Sequence, residues 1–101
     1  ISSVRGLSML FAVYMVDKLG MEAVRAQTGK AHAEYMAANE EGIRMGGPLY
    51  ADDHKTMIGS VVIKDFSNRT DAENFIKNEP FNKAGLFETV MINPFKAFVN
   101  N

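Results

Sequence analysis

The order of apolar and helix-forming segments predicts an α+β domain of ferredoxin-like βαββαβ topology, built on one antiparallel four-stranded sheet. Three observations carry that expectation. Short apolar runs of strand length occur at 9–16, 43–50, 56–66 and 86–93. Helix-forming stretches separate the first run from the second and the third from the fourth. Only a short polar stretch joins the second run to the third, as in a hairpin.

Met9 to Val16 (MLFAVYMV) is continuously apolar and too short for a buried helix, so it reads as a buried strand. Asp17-Lys18-Leu19-Gly20 makes a turn. Residues 21–41 are rich in Ala, Glu, Met and Lys, with an apolar stripe at Val24, Ala31, Tyr35 and Ala38. Gly29 interrupts this region, and Thr28 is placed to cap a fresh helix there. Ile43 to Tyr50 reads as a strand disturbed by Gly46-Gly47-Pro48, which belongs at a sheet edge. Ala51 to Lys55 is the hairpin loop, and Thr56 to Phe66 the third strand. Thr70-Asp71-Ala72-Glu73 matches a capping box that opens a second helix. Ala72, Phe75 and Ile76 form its core face, and Pro80 ends it. Leu86 to Asn93 is the fourth strand, stopped by Pro94.

The 101 residues fit a single domain, 9–99, with residues 1–8 expected to be a loose extension or expression remnant. Net charge is −1, with cations scattered among carboxylates, so no nucleic-acid surface is expected. No apolar run reaches the ~20 residues that span a bilayer, so no membrane partner is expected either. The chain has no cysteine. That excludes a thiol nucleophile and a cysteine-ligated metal, and is compatible with the cytoplasm. Dinucleotide and P-loop signatures are missing, so no cofactor is expected.

In this topology the end of strand one, the start of helix one and the strand two–three hairpin share one end of the sheet. Asp17, Arg25, Asp52 and Asp53 gather there, with His32 further along the helix. Arg25, Gly29, His32, Met36 and Asn39 share a helical face, and Gly29 removes a side chain where a ligand would approach. A histidine meeting an aspartate is an acid–base device. The plainer readings are a polar helix-edge histidine, and aspartates that bond their own turn. Asp52-Asp53-His54 lacks the spacing of a metal site, and no metal is expected. Ser60 lies amid Ile58, Val61, Val62 and Ile63 and needs a hydrogen-bond partner if buried. It lacks the Gly-x-Ser-x-Gly elbow of a serine hydrolase. One sheet face has no helices to cover it, so a second copy is expected there; Ile58, Val62, Phe11, Val13 and Met91 are apolar strand residues not assigned to either face.

Several segments in order carry a resemblance: MLFAVYMVDK, Arg25 seven residues before His32, Gly47-Pro48 followed by aspartate, and Gly59-Ser60 in an apolar strand. Glu79-Pro80-Phe81-Asn82-Lys83-Ala84-Gly85-Leu86-Phe87 and Asn93-Pro94-Phe95-Lys96 complete the series. From Met9 to Lys96 the chain resembles the YciI-like (YCII domain) family. The resemblance implies a homodimeric α+β barrel with a histidine–aspartate pair. Carried over, the pair is His32 and Asp53, with Asp52 and Asp17 as rival partners. Asp17, Arg25 and Ser60 match other recurrent polar positions, and are expected to bind substrate. The chain departs from the family pattern at Leu19, at Gly29, where arginine is frequent, and at Glu79, where aspartate is frequent. The implied function is cofactor-independent acid–base chemistry on a small ring or enol, of dehydrochlorinase, lyase or isomerase type in aromatic degradation. A non-catalytic dimer that binds a small metabolite is the alternative.

Overall fold

The computed structural model describes residues 9–100; the expected N-terminal extension, 1–8, lies outside them. The elements are β1 (Met9–Asp17), α1 (Glu22–Ala38), β2 (Ile43–Tyr50), β3 (Met57–Phe66), α2 (Arg69–Lys77), α3 (Pro80–Lys83) and β4 (Phe87–Pro94). The sheet order is β2-β3-β1-β4 with every neighbouring pair antiparallel. This is the expected α+β topology with one added helix.

Alternation along the strands sorts their residues. Phe11, Val13 and Met15 of β1 are buried beneath the helices, and Val62 and Phe66 of β3 join them. α2 adds Ala72, Phe75 and Ile76, and Phe81 and Leu86 close the cluster. Phe66 links the two layers, with its ring 6.0 Å from Phe11 and 5.5 Å from Phe75. The opposite face carries no helix. Tyr14 and Met91 are register partners on it, and both are exposed. Of the unassigned strand residues, Phe11, Val13 and Val62 therefore face the helices and Met91 faces away.

Several local expectations are corrected. α1 runs unbroken through Gly29, so Thr28 caps nothing; Met21 stands at the N-cap without a side-chain bond. Ala31 and Ala38 are exposed, while Val24, Tyr35 and Met36 touch the core. α1 buries no residue fully, because a cleft separates part of it from the sheet. α2 starts earlier than the Thr70 capping box: the Asn68 side chain accepts the Asp71 N–H at 2.9 Å, and the helix begins at Arg69.

Pro80 does not merely end α2; it opens α3 at a position where its missing N–H costs nothing. That single turn is closed at both ends. Glu79 caps its start by accepting the Phe81 N–H. At its end Gly85 takes φ +75°, Leu86 N–H reaches Phe81 O at 3.1 Å, and Gly85 N–H reaches Asn82 O at 3.0 Å. This is the Schellman arrangement, and the left-handed position favours glycine. β2 is an edge strand, as Gly46-Gly47-Pro48 requires. Lys64 is buried on β3 and donates to Asn39 O at 2.8 Å and to Glu41 O, so it holds the chain just after α1. Burial lowers its pKa from the ordinary 10.5, against the opposing charges of Glu41 and Asp65.

Candidate functional site

A cleft of about 670 Å³ opens between α1 and the β2–β3 hairpin. Arg25, Gly29, His32 and Met36 line it from α1, the face that helical spacing singled out. Gly47, Pro48 and Ser60 line it from the sheet, Lys55 and Thr56 from the hairpin, and Phe81 from α3.

His32 Nδ1 lies 2.9 Å from Glu79 Oε2. Glu79 is only 2% exposed, and its second oxygen accepts the Phe81 N–H. One buried carboxylate therefore both caps α3 and orients the imidazole. An ionised Glu79 holds the ring proton on Nδ1. That leaves Nε2, which has no hydrogen-bond partner among the described residues, on a ring that lines the cleft. Phe81 fixes the ring plane by stacking at 4.2 Å between centroids and 19° between planes. Tyr35, one turn further along α1, donates to Phe75 O at 2.7 Å. Its hydroxyl pKa is raised above 10.0, first by burial and then by the negative charge of Glu79.

Arg25 forms a two-pronged pair with Asp17, Nε to Oδ2 at 2.7 Å and Nη2 to Oδ1 at 2.9 Å. Both side chains are about nine-tenths buried, at 12% and 10% exposure. The β1–β4 register shifts between Val16 and Asp17, a bulge of the kind that re-aims a side chain. The guanidinium carbon also lies 4.6 Å from the Phe81 ring centre. Phe81 thus contacts both Arg25 and His32.

Arg25, His32 and Ser60 line one cleft. Asp17 is at the same end but acts on Arg25 and does not line the cleft. The expected pairing of His32 with an aspartate is not made within the protomer; its carboxylate partner is Glu79. Asp53 is committed elsewhere: it accepts the Lys55 and Thr56 N–H groups at 2.8 and 2.9 Å and the Thr56 hydroxyl at 2.6 Å. These bonds hold its pKa below the ordinary 3.8, the Thr56 side chain contributing most. Ser60 is 8% exposed, and its hydroxyl makes no hydrogen bond with the described residues. No buried side-chain nitrogen or oxygen among the described residues lacks a partner, so this hydroxyl is not a buried orphan; it opens to the cleft that Ser60 lines. No group of three or more His, Cys, Asp or Glu is clustered for a metal among the described residues. Among them, no helix is long and apolar enough to cross a membrane.

Sequence reasoning gave no site role to Glu79, the buried partner of His32, or to Phe81, which lines the cleft and stacks on the imidazole. Their signal was the segment Glu79 to Leu86, which carried the resemblance; Pro80 reads there as a helix stop and Glu79 only as a departure from a frequent aspartate.

Comparison with known proteins places the chain. Protein YciI of Escherichia coli O6:H1 is 30% identical over 95 residues, spanning 87% of this chain and 97% of the relative. Protein YciI of Shigella flexneri matches to the same extent. Among solved structures, TftG of Burkholderia phenoliruptrix AC1100 superposes with a TM-score of 0.82 at 34% identity, covering 87% of this chain and 94% of that one. TftG is a 5-chloro-2-hydroxyhydroquinone dehydrochlorinase, captured with 2,5-dihydroxybenzoquinone. The YCII-related domain matches residues 9–96, and the chain belongs to that family.

Proposed function

We propose that the protein is a cofactor-independent enzyme in which His32, oriented by Glu79, moves a proton on a small ring or enol substrate held in the cleft. The observation that carries this reading is the 2.9 Å contact in which a buried carboxylate accepts from Nδ1, which leaves Nε2 without a protein partner among the described residues beside a cleft of about 670 Å³. That volume falls within the range of small-molecule sites, roughly 300–1,000 Å³. TftG, with its ring ligand, supports a dehydrochlorinase or lyase over an isomerase. In such a step the base takes a proton from the substrate while chloride departs.

Arg25 is the cation nearest to His32 along the cleft-facing side of α1. With Nε and Nη2 on Asp17, its Nη1 faces only the Met57 sulfur at 3.9 Å, a weak acceptor. It is therefore the group to donate to an oxygen that gains charge in the transition state. Ser60 supplies a further hydrogen bond from β3. Asp17 positions Arg25, and Asp53 orders the hairpin that presents Lys55 and Thr56. The reading includes a homodimer formed through the helix-free face of the sheet and a cytoplasmic setting.

His32→Asn tests it. Turnover of chlorohydroxyquinol should fall by about 10²–10⁴-fold in a folded protein, and a muconolactone should be turned over poorly by both proteins. Undiminished turnover would remove His32 from the chemistry, and binding without conversion by the unaltered protein would favour a metabolite-binding role.

A further inference from the structure

We propose that Gly29 sets which substrates the site accepts, because the notch it leaves between Arg25 and His32 receives an uncharged substituent on the substrate's ring. The inference rests on the cleft being the substrate site and names the specificity of that site.

Gly29 lies inside a 17-residue helix of otherwise ordinary helix-compatible residues, where glycine is disfavoured relative to alanine. Two structural reasons for such a glycine can be checked, and neither applies. It has no positive φ, unlike Gly20, Gly42 and Gly85. Nor does any neighbour crowd it, since a Cβ built there meets no atom within 4 Å. What the missing side chain does provide is space on the cleft wall. Arg25 and His32 are seven residues apart, about 10 Å along the axis; Phe81 touches both side chains, and Gly29 leaves the helix wall between them open to the cleft. A ring presented to His32 would turn one edge toward this gap.

The charges around the cleft decide what kind of substituent fits. Two fixed cations, Arg25 and Lys55, stand against three carboxylates, the lining Glu22 and the paired Asp17 and Glu79. Arg25 is already neutralised by a two-pronged partner. A carboxylate in the notch would give up its hydration beside a guanidinium already paired with Asp17, because the other cation, Lys55, belongs to the hairpin wall and not to α1. A methyl group or a halogen loses nothing there, and Ala26, Met36 and Pro48 add apolar wall around the same cleft.

The experiment is a calorimetric comparison of hydroquinone, methylhydroquinone and 2,5-dihydroxybenzoate under anaerobic conditions, with the unaltered protein and Gly29→Ala. The unaltered protein should bind methylhydroquinone at least about tenfold more tightly than 2,5-dihydroxybenzoate. Gly29→Ala should raise the melting temperature. It should also weaken methylhydroquinone about tenfold while leaving hydroquinone within about twofold. Asp17→Asn, which leaves Arg25 with an uncompensated charge, should strengthen 2,5-dihydroxybenzoate selectively. Equal loss or no loss of the two neutral rings in Gly29→Ala overturns the proposal. So does tighter binding of the carboxylate by the unaltered protein, or failure of all three rings to bind it. Affinity ratios do not depend on turnover, so failure of the acid–base reading would appear in the His32 variant and not here.

Discussion

His32 owes its orientation to Glu79, a residue 47 positions away in the chain. Glu79→Gln keeps the volume and removes the charge that holds the proton on Nδ1. Turnover should fall by about 10²–10⁴-fold with little change in melting temperature. Glu79→Ala removes the α3 cap as well, and should cost about 0.5–2 kcal/mol of stability in chemical denaturation. If both variants retain full turnover, the pair has no catalytic role. Asp53 behaves as a local turn residue. Its folded pKa is lowered, so its contribution is present above the unfolded value and lost as pH falls through the folded one. In an acid titration by NMR, the Lys55 and Thr56 amide signals should therefore move together, with a midpoint below 3.8. The helical face Arg25, Gly29, His32, Met36 was legible because spacing alone defines it. The carboxylate was not. Topology brought Asp17, Asp52 and Asp53 to the right end of the sheet, but it says nothing about which acceptors the local amides have already claimed. Glu79 was hidden because Glu-Pro reads first as a helix stop.

Two glycines show how elements divide the work of holding the sheet and shaping the cleft. Gly59 lies where β3 meets β1, and a Cβ there would come within 2.1 Å of Met15 O. Gly59→Ala must push the central strands apart, and should destabilise the fold by about 1–3 kcal/mol or more. Gly29→Ala meets open space and should stabilise α1 by about 0.5–1 kcal/mol. Urea denaturation of both variants gives opposite signs if this division is right; the same sign for both would contradict it. The strand order and the edge position of β2 were readable from apolar runs and from Gly46-Gly47-Pro48. The continuity of α1 and the existence of α3 were not. A helix-interior glycine looks like a break when the cleft it serves is unseen, and a single turn is too short to show periodicity.

At the scale of the whole molecule, the helix-free face of the sheet is the unresolved demand of the fold. An antiparallel sheet facing water normally alternates apolar and polar residues. Here the strands stay apolar on both faces: Tyr14 pairs with Val61 and Met91 across that surface, and Ala12 pairs with Ile63. Tyr14, Met45 and Met91 are 40%, 69% and 49% exposed in the lone protomer. A contiguous apolar surface of this kind marks an interaction site, and a second copy placing the same face against it would bury it on both sides. A stable interface needs roughly 1,200–2,000 Å² in total, which sheet-on-sheet packing of a four-stranded face can supply. Light scattering should give twice the 11.2 kDa chain mass. Tyr14→Glu combined with Met91→Glu should produce a monomer, because paired carboxylates in a dry interface cost far more than they return. A chain that scatters as a monomer at micromolar concentration, or a double variant that remains dimeric, would show that this face serves something other than a second copy.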